Sequence, residues 1–336
     1  MKINTWFGVL DMGSNGELLA SELFPKTVRE LALRSLSLKD SRQNLPPEGF
    51  DLATAAIECG FVDSFSEYYS LLHEVTLETV KIQVSEALTP DQRVIQAVEA
   101  LDDINETTNS LSERLFEWYG GYFPESGLSG EALAAFIVKY GSRENISPED
   151  PLYLKARDSM GAKLEAADEV LLKGFAESVC GLYERRKQVE AYIECSMETL
   201  APNLTMLAGP MLGARLISIA GSLEKLAFFP SSTIQVIGAN KALFKHLRAR
   251  APSPKHGVIY SHPLINTSPW WVRGKVARAL AAKLSLAARI DFYSAKKDPS
   301  LAGKLEEKVR KLRAENPRPP QKRQEVRAKP KKKRRK

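Results

Sequence analysis

The sequence predicts a mainly α protein, α+β overall: a small N-terminal α/β domain, a long antiparallel coiled-coil hairpin, a helical C-terminal domain with a short β element, and a disordered basic tail. Three observations predict it. Two long stretches repeat apolar residues at three-and-four spacing, the first eighty-odd residues mix strand and helix periods, and charge divides sharply along the chain. At 336 residues and 43% hydrophobic content the chain is long enough for two or three cores, and gross disorder is not expected. No apolar run approaches the roughly 20 residues of a membrane span, and MKINTWFGVL does not have the form of a secretion signal, so a cytosolic or nuclear protein is expected.

In the first domain, residues 1–88, TWFGVLDM alternates loosely, MGSNGE carries turn chemistry and LLASELF returns as a second strand. KTVRELALRSL then has helical spacing. MGSNGE is not a phosphate loop, because no Gly-Lys-Ser/Thr follows. In residues 89–200, Val94, Val98, Leu101, Thr108, Leu111, Leu115 and Trp118 mark one long amphipathic helix. Leu171, Phe175, Val179, Leu182, Val189, Ile193, Met197 and Leu200 mark its antiparallel partner. GGYFPESGLSG and SRENISPEDP read as connections at the tip. Two such helices expose more seam than they bury in each other, which predicts a homodimer. Gly209, Gly213 and Gly221 are spaced for close helix approach in a third domain, residues 201–316, and residues 317–336 form the basic tail.

The formal net charge of +7 hides the division. Residues 1–200 carry 18 Lys and Arg against 34 Asp and Glu, whereas 201–336 carry 30 against 7. Even without the tail, 201–316 has 19 basic against 6 acidic residues, a field suited to a polyanion, with nucleic acid the expected partner. The charge is patterned. Lys241, Lys245 and Arg248 share one helix face, with Leu243, Phe244 and Leu247 away from it and expected in the core. Lys275, Arg278 and Arg289 share a face opposite Val276, Leu280, Leu284 and Ala287. A single charged stripe is usually a solvated face, but two stripes with interleaved aromatics favour salt-sensitive phosphate binding.

Between the stripes lies SPKHGVIYSHPLI, with two of the chain's four histidines. A zinc site needs about four ligands, and no cysteine follows Cys195. A histidine base needs an orienting carboxylate, and Asp291 is the only acid between Glu224 and Asp298. His262, before Pro263 at a strand edge, reads as a satisfied core or turn residue, and His246 sits beside a cationic stripe. His256 differs: Pro254-Lys255-His256-Gly257 reads as an exposed turn next to a cation, where an imidazole is available to stack on an unpaired base. Cys59, Cys180 and Cys195 are scattered and read as buried apolar residues in a reducing compartment.

The stretch APNLTMLAGPMLGARLISIAGSLEKLAFFPSSTIQVIGANKALFKHL, then PKHGVIYSHPLI, then WWVRGKVARALAAKLSLAARID resembles the Nop domain, and LDDINETTNSLSERLFEWYGGYFPE resembles the first coiled-coil helix of the box C/D ribonucleoprotein scaffolds of that family. The resemblance covers about residues 90–313 and is closest to the archaeal form, which implies a cytoplasmic protein. It implies a noncatalytic scaffold without a cofactor of its own. Its N-terminal domain would hold fibrillarin, the methyltransferase that uses S-adenosylmethionine, and its coiled coil would form a homodimer. Its Nop domain would grip a guide RNA kink-turn already bound by a small ribosomal-protein-like partner, for 2′-O-methylation of ribose.

Gly238, Ala239, Asn240 and Lys241 occupy the family's Gly-Ala-Glu-Lys motif, implied to face the partner protein, with Asn240 in place of the glutamate. His256, next to the candidate RNA-binding cation Lys255, resembles the histidine that in a spliceosomal relative lies near the kink-turn RNA, and Arg273, Lys275 and Arg278 match the basic run facing it. Two alternatives stay open: a spliceosomal-type Nop protein, against which the N-terminal hairpin and helix argue, and an RNA-modifying enzyme, which would need a nucleotide loop or acid/base pair in the basic half.

Overall fold

A computed structural model describes residues 2–13, 18–41, 44, 46–47, 49–249, 252–294 and 296–319. The turn read in MGSNGE, at 14–17, and the tail from 320 onward lie outside these residues. The chain divides into two compact units, 1–89 and 90–336.

In the first unit β1 (Lys2–Asn4), β2 (Gly8–Met12) and β3 (Leu18–Leu23) form an antiparallel sheet in the order β1-β2-β3. The expected hairpin is β2–β3, with Gly8 opposite Leu23; β1, which the sequence reading missed, pairs Ile3 with Leu10. The helices α1 (Val28–Ser41), α2 (Leu52–Glu58) and α3 (Phe65–Ala87) complete the unit. An aromatic knot fills its core: Phe7 stacks on Phe61 at 5.2 Å, and Trp6 Nε1 donates to Tyr68 Oη at 3.3 Å. One side of α3 leaves Phe65, Tyr69, Leu77, Val80 and Val84 exposed, at helical spacing.

The second unit opens on two long helices, α4 (Pro90–Gly120) and, after an insert, α7 (Ala166–Leu200), packed against each other. Val94, Val98, Leu101, Thr108 and Leu115 of the expected seam are buried on α4, and Val179, Ile193 and Met197 on α7. The α7 seam starts at Leu172, not Leu171, which is 58% exposed. The segment between the helices is more than a connection. The helices α5 (Gly130–Tyr140) and α6 (Tyr153–Arg157) build a cap with its own core of Tyr119, Phe123, Leu133, Phe136 and Ile137. Tyr119 Oη donates to Gly141 O at 2.8 Å, and burial raises its phenol pKa. Gly and Pro punctuation hid this helix from a reading based on loop composition.

The C-terminal helices are α8 (Pro202–Ala208), α9 (Pro210–Ala220), α10 (Leu223–Phe228), α11 (Ser231–Val236), α12 (Asn240–Ala249), α13 (Pro263–Asn266), α14 (Arg273–Tyr293) and α15 (Ser300–Ala314). Proline occupies the first position of α8, α9 and α13, where its missing N–H costs nothing. Of the three glycines read as close-packing, only Gly213 is one: a Cβ there would lie 3.0 Å from Met197 Cε. Gly209 and Gly221, at φ +79° and +87°, instead sit at helix boundaries that need left-handed backbone.

Two polar devices hold this domain. Asp291, 4% exposed near the end of α14, accepts from the backbone N–H groups of Asn203 (3.1 Å) and Leu204 (2.8 Å) and from Asn203 Nδ2 (2.7 Å). It therefore caps α8, satisfying N–H groups that a helix start leaves without partners. Asn203 also donates to Lys296 O and accepts from Asp298 N, locking the entry to α15. The one acid between Glu224 and Asp298 is a structural cap.

The second device staples the α11–α12 junction to the residues around His256. Gly257 N donates to Gln235 O and Val258 N to Ile237 O, both at 2.8 Å. These two bonds do not extend into a sheet: Val258–Ser261 is a 3₁₀ turn, and no strand occurs in the second unit among the described residues. The short β element expected here is thus absent, because Pro263 starts a helix immediately afterwards and no neighbouring chain continues the ladder.

Asp291→Ala strands these buried donors and is expected to lower the unfolding free energy by on the order of 3 kcal/mol, measured by denaturant titration. A Cβ on Gly257 would fall 1.9 Å from Ile237 O, a backbone atom that cannot step aside, whereas the tightest contact of one on Gly213 is a flexible methionine tip at 3.0 Å, with Leu204 Cγ at an ordinary 3.5 Å. Gly257→Ala is therefore expected to cost on the order of 3 kcal/mol and Gly213→Ala less than about 1 kcal/mol, read from paired melting curves.

Candidate nucleic-acid interface

The staple places the Lys255 segment across the first turn of α14. Gln235 Nε2 donates to Lys255 O at 2.7 Å, and a Cβ on Gly274 would sit 3.5 Å from Lys255 Cβ, so the lysine stem crosses helix backbone where side-chain bulk is missing. Between α11, Leu243 of α12, residues 253–255 and α14 lies an open groove of about 530 Å³. Lys255, Lys275, Arg278, Gln235 and Trp271 line it, and no carboxylate does. Lys255 and Arg278 have no ion pair or hydrogen bond to their charged groups among the described residues. Lys275 Nζ donates to Asn316 Oδ1 at 2.5 Å and Trp271 Nε1 to Asn316 O at 3.0 Å, which fixes one wall. Three cations facing one groove without a local counter-charge suit a sugar–phosphate backbone.

His256 stands beside it, half-buried. Its ring stacks on Tyr260, centroids 4.6 Å apart at 21°, and the Arg273 guanidinium lies over the same tyrosine at 5.5 Å. Burial, then Arg273 and Lys255, push the imidazole pKa down, which keeps the ring neutral at neutral pH. The exposed turn expected from the sequence is therefore a braced one, with Tyr260 on one ring face. Arg273 is largely committed inward: Nε donates to Ser268 O at 2.9 Å and Nη2 to Asn266 O at 3.1 Å, gathering the carbonyls that end α13.

His262 is a helix cap. Its Nδ1 accepts from Leu264 N at 3.2 Å while Nε2 reaches Leu207 O at 2.9 Å, which assigns the proton to Nε2. Burial lowers its pKa. Among the described residues no three His, Cys, Asp or Glu gather as metal ligands, and all three cysteines are free.

The two basic stripes part company. α12 buries no residue, and Phe244 and Leu247 are 58% and 72% exposed, so the expectation that its apolar back enters the core is corrected. Only Leu243 reaches the groove, whereas Lys241, Lys245 and Arg248 occupy another side of the helix, with the Arg248 guanidinium over Phe244 at 5.1 Å. Gly238, at φ +81° with Val258 Cβ 3.2 Å from where its own Cβ would be, makes the turn that launches α12; Ala239 bonds back to Val236 O and exposed Asn240 starts the helix. Arg289 does not join Lys275 and Arg278, since its Nε donates to Ala227 O at 3.0 Å. Fourteen residues of helix separate it from Lys275, about 21 Å. Sequence reasoning missed Gln235, Tyr260 and Trp271; aromatics next to cationic helix positions were the available signal.

The family model described as "Nop: snoRNA binding domain, fibrillarin" matches residues 100–314, which contain the staple, the groove and α12. An uncharacterized NOP5 family protein of Methanocaldococcus jannaschii is 45% identical over 277 residues, covering 78% of this chain and 67% of that protein. Nucleolar protein 58 of Botryotinia fuckeliana is 40% identical over 218 residues (61% of this chain, 38% of the relative), and that of Scheffersomyces stipitis 35% identical over 257 residues (72% and 49%). The chain thus spans less than half the length of these two fungal relatives. A solved structure described as a fibrillarin/Nop5p complex is 27% identical, with a TM-score of 0.46, covering 93% of this chain and all of that one. With the family model matching more than half of its residues and a relative at 45% identity, the chain belongs to the Nop family.

Proposed function

We propose that the chain is the noncatalytic RNA-binding scaffold of a box C/D guide ribonucleoprotein that directs 2′-O-methylation of ribose. The observation that carries this reading is the carboxylate-free groove of Lys255, Lys275 and Arg278 beside a neutral, stacked His256, within the region matched as a snoRNA-binding domain. In this reading the groove holds the phosphates of a kink-turn and His256 meets an unpaired base. The launch turn Gly238, Ala239, Asn240 and Lys241, with the exposed apolar side of α12, meets the small kink-turn-binding protein, while Lys245 and Arg248 add charge towards the RNA.

The exposed stripe on α3 supports a protein partner on the first unit, which we assign to fibrillarin, the holder of S-adenosylmethionine. Homodimerisation through α4 and α7 is supported by apolar residues left open on that pair, Phe116, Val170 and Leu171 among them. The working division is 1–88 for the methyltransferase, 89–200 for dimerisation, 201–316 for RNA and its bound protein, and 317–336 as a basic tail. An archaeal cytoplasmic location goes with this reading. No helix among the described residues is long and apolar enough to cross a membrane.

Reconstitution with fibrillarin, the small partner and a box C/D guide is expected to give guide-directed methylation only when this chain is present; equal methylation without it would reject the scaffold role. Lys255→Ala and Arg278→Ala are each expected to reduce the salt slope of ternary-complex formation by about one unit, measured in gel-shift titrations. Arg289→Ala is expected to leave that slope unchanged while lowering the melting temperature. His256→Phe is expected to retain RNA binding at pH 7, and His256→Ala to lose on the order of 1–3 kcal/mol, the scale of a stacked base.

A further inference from the structure

The densest charge in the chain lies in residues 317–336, where 11 of 20 residues are Lys or Arg and Glu325 is the only acid. The point from which this segment departs is fixed by the fold. Asn316, the residue before it, is held by three side-chain-mediated hydrogen bonds. Its O accepts from Trp271 Nε1 at 3.0 Å, its Oδ1 accepts from Lys275 Nζ at 2.5 Å, and its Nδ2 donates to Leu312 O at 2.8 Å. One turn earlier Arg313 pins the same end of α15, donating to Leu264 O at 3.2 Å and to the Ser268 hydroxyl at 3.0 Å. Trp271 and Lys275 line the groove that also holds Lys255 and Arg278. The basic segment therefore starts at the wall of the groove proposed for RNA.

Its composition limits what it is able to recognise. It has no aromatic residue, and apart from prolines its apolar residues are Val326 and Ala328. It thus carries nothing with which to stack a base or fill an apolar pocket. What it carries is cations, seven of them among residues 329–336, and these bind phosphates without regard to base identity. Twenty residues span at most about 70 Å, so the charges reach beyond the groove, while the tether at Asn316 keeps their local concentration there high.

A guide-directed particle meets two kinds of RNA. The guide presents the same kink-turn every time, which suits a groove of fixed geometry. The target strand changes sequence with every guide, and what all targets share is phosphate charge. A field that attracts this charge acts mainly on the rate of encounter. We propose that residues 317–336 are a target-capture arm: they draw the target strand in by its phosphates and raise the rate at which it pairs with the guide held at the groove, without influencing which sequence pairs. The inference rests on the proposed scaffold role.

The test uses the particle assembled from this full chain, fibrillarin, the small partner and a guide, with a fluorescent target mixed in by stopped flow over a salt series. The variant Lys331→Gln/Lys332→Gln/Lys333→Gln/Arg334→Gln/Arg335→Gln/Lys336→Gln keeps the length of the segment. It is expected to slow target association about tenfold at low salt, with the difference shrinking as salt is raised. Its target dissociation rate, its affinity for the guide and its methylation of a target annealed beforehand are expected to match the parent. A chain whose residues 320–336 are shuffled in order, with composition kept, is expected to capture like the parent, because charge and not a motif does the work.

Association as fast as the parent's at every salt concentration overturns the arm, as does association faster than the parent's, which would make the segment a shield. An equal loss of guide affinity, or a shuffled chain as slow as the glutamine variant, likewise overturns it, by making the segment part of the guide site or a specific docking motif. A parent particle that methylates its guided target while the variants show no kinetic change rejects the arm alone. A parent chain that supports no guided methylation rejects the scaffold role and the arm with it.

Discussion

Everything in the C-terminal domain depends on the burial of α14. Val276, Ala277, Leu280, Ala281, Leu284, Ala287 and Ala288 are all fully buried. The small residues among them let α8, α10 and α11 approach closely, while α15 covers a further side. Because that stripe is fixed in the core, helical geometry forces Lys275, Arg278 and Lys283 outward in a single orientation. The cationic surface thus follows from where the alanines and leucines must go. Asp291 reinforces the arrangement by fastening the far end of α14 to the start of α8.

The same logic explains why the charged groups differ in what they are free to do. Arg273 and Arg289 have guanidinium forks that match backbone carbonyls, and both are taken up by helix ends, at Asn266 and Ser268 and at Ala227. Arg313 does likewise on α15, reaching Leu264 O and the Ser268 hydroxyl. Lys255 and Arg278, without such partners, remain for an external anion. A basic count of the domain overstates its binding charge, because several arginines serve as internal staples.

A division of labour also separates rigid from projecting parts. The groove around Lys255 is built from backbone bonds at Gln235 and Ile237 and a glycine that admits no side chain, and beside it Tyr260 carries the stacked His256 ring with the Arg273 guanidinium over it. Next to it, α12 packs no side chain into the core and displays Phe244 and Leu247 to solvent. A preformed polar groove suits RNA, whose phosphates are fixed in space, whereas an amphipathic helix held at one turn suits a protein partner that supplies the missing apolar surface.

By itself the sequence determined the long helical pair, the β2–β3 hairpin, the acidic and basic halves and the family, because each is written in local periodicity, composition or a long contiguous motif. It also placed Lys255, His256, Lys275 and Arg278 among the site residues. Only the tertiary structure decided which cations meet. Lys255 joins Lys275 and Arg278 through the staple at Gly257, Arg289 is claimed by a carbonyl 62 residues away, and Asp291 caps a helix 88 residues before it. The folded cap of α5 and α6, and α12 standing clear of the core, were likewise invisible. A hydrogen bond or a buried face is a property of two segments, and periodicity in one of them cannot name the other.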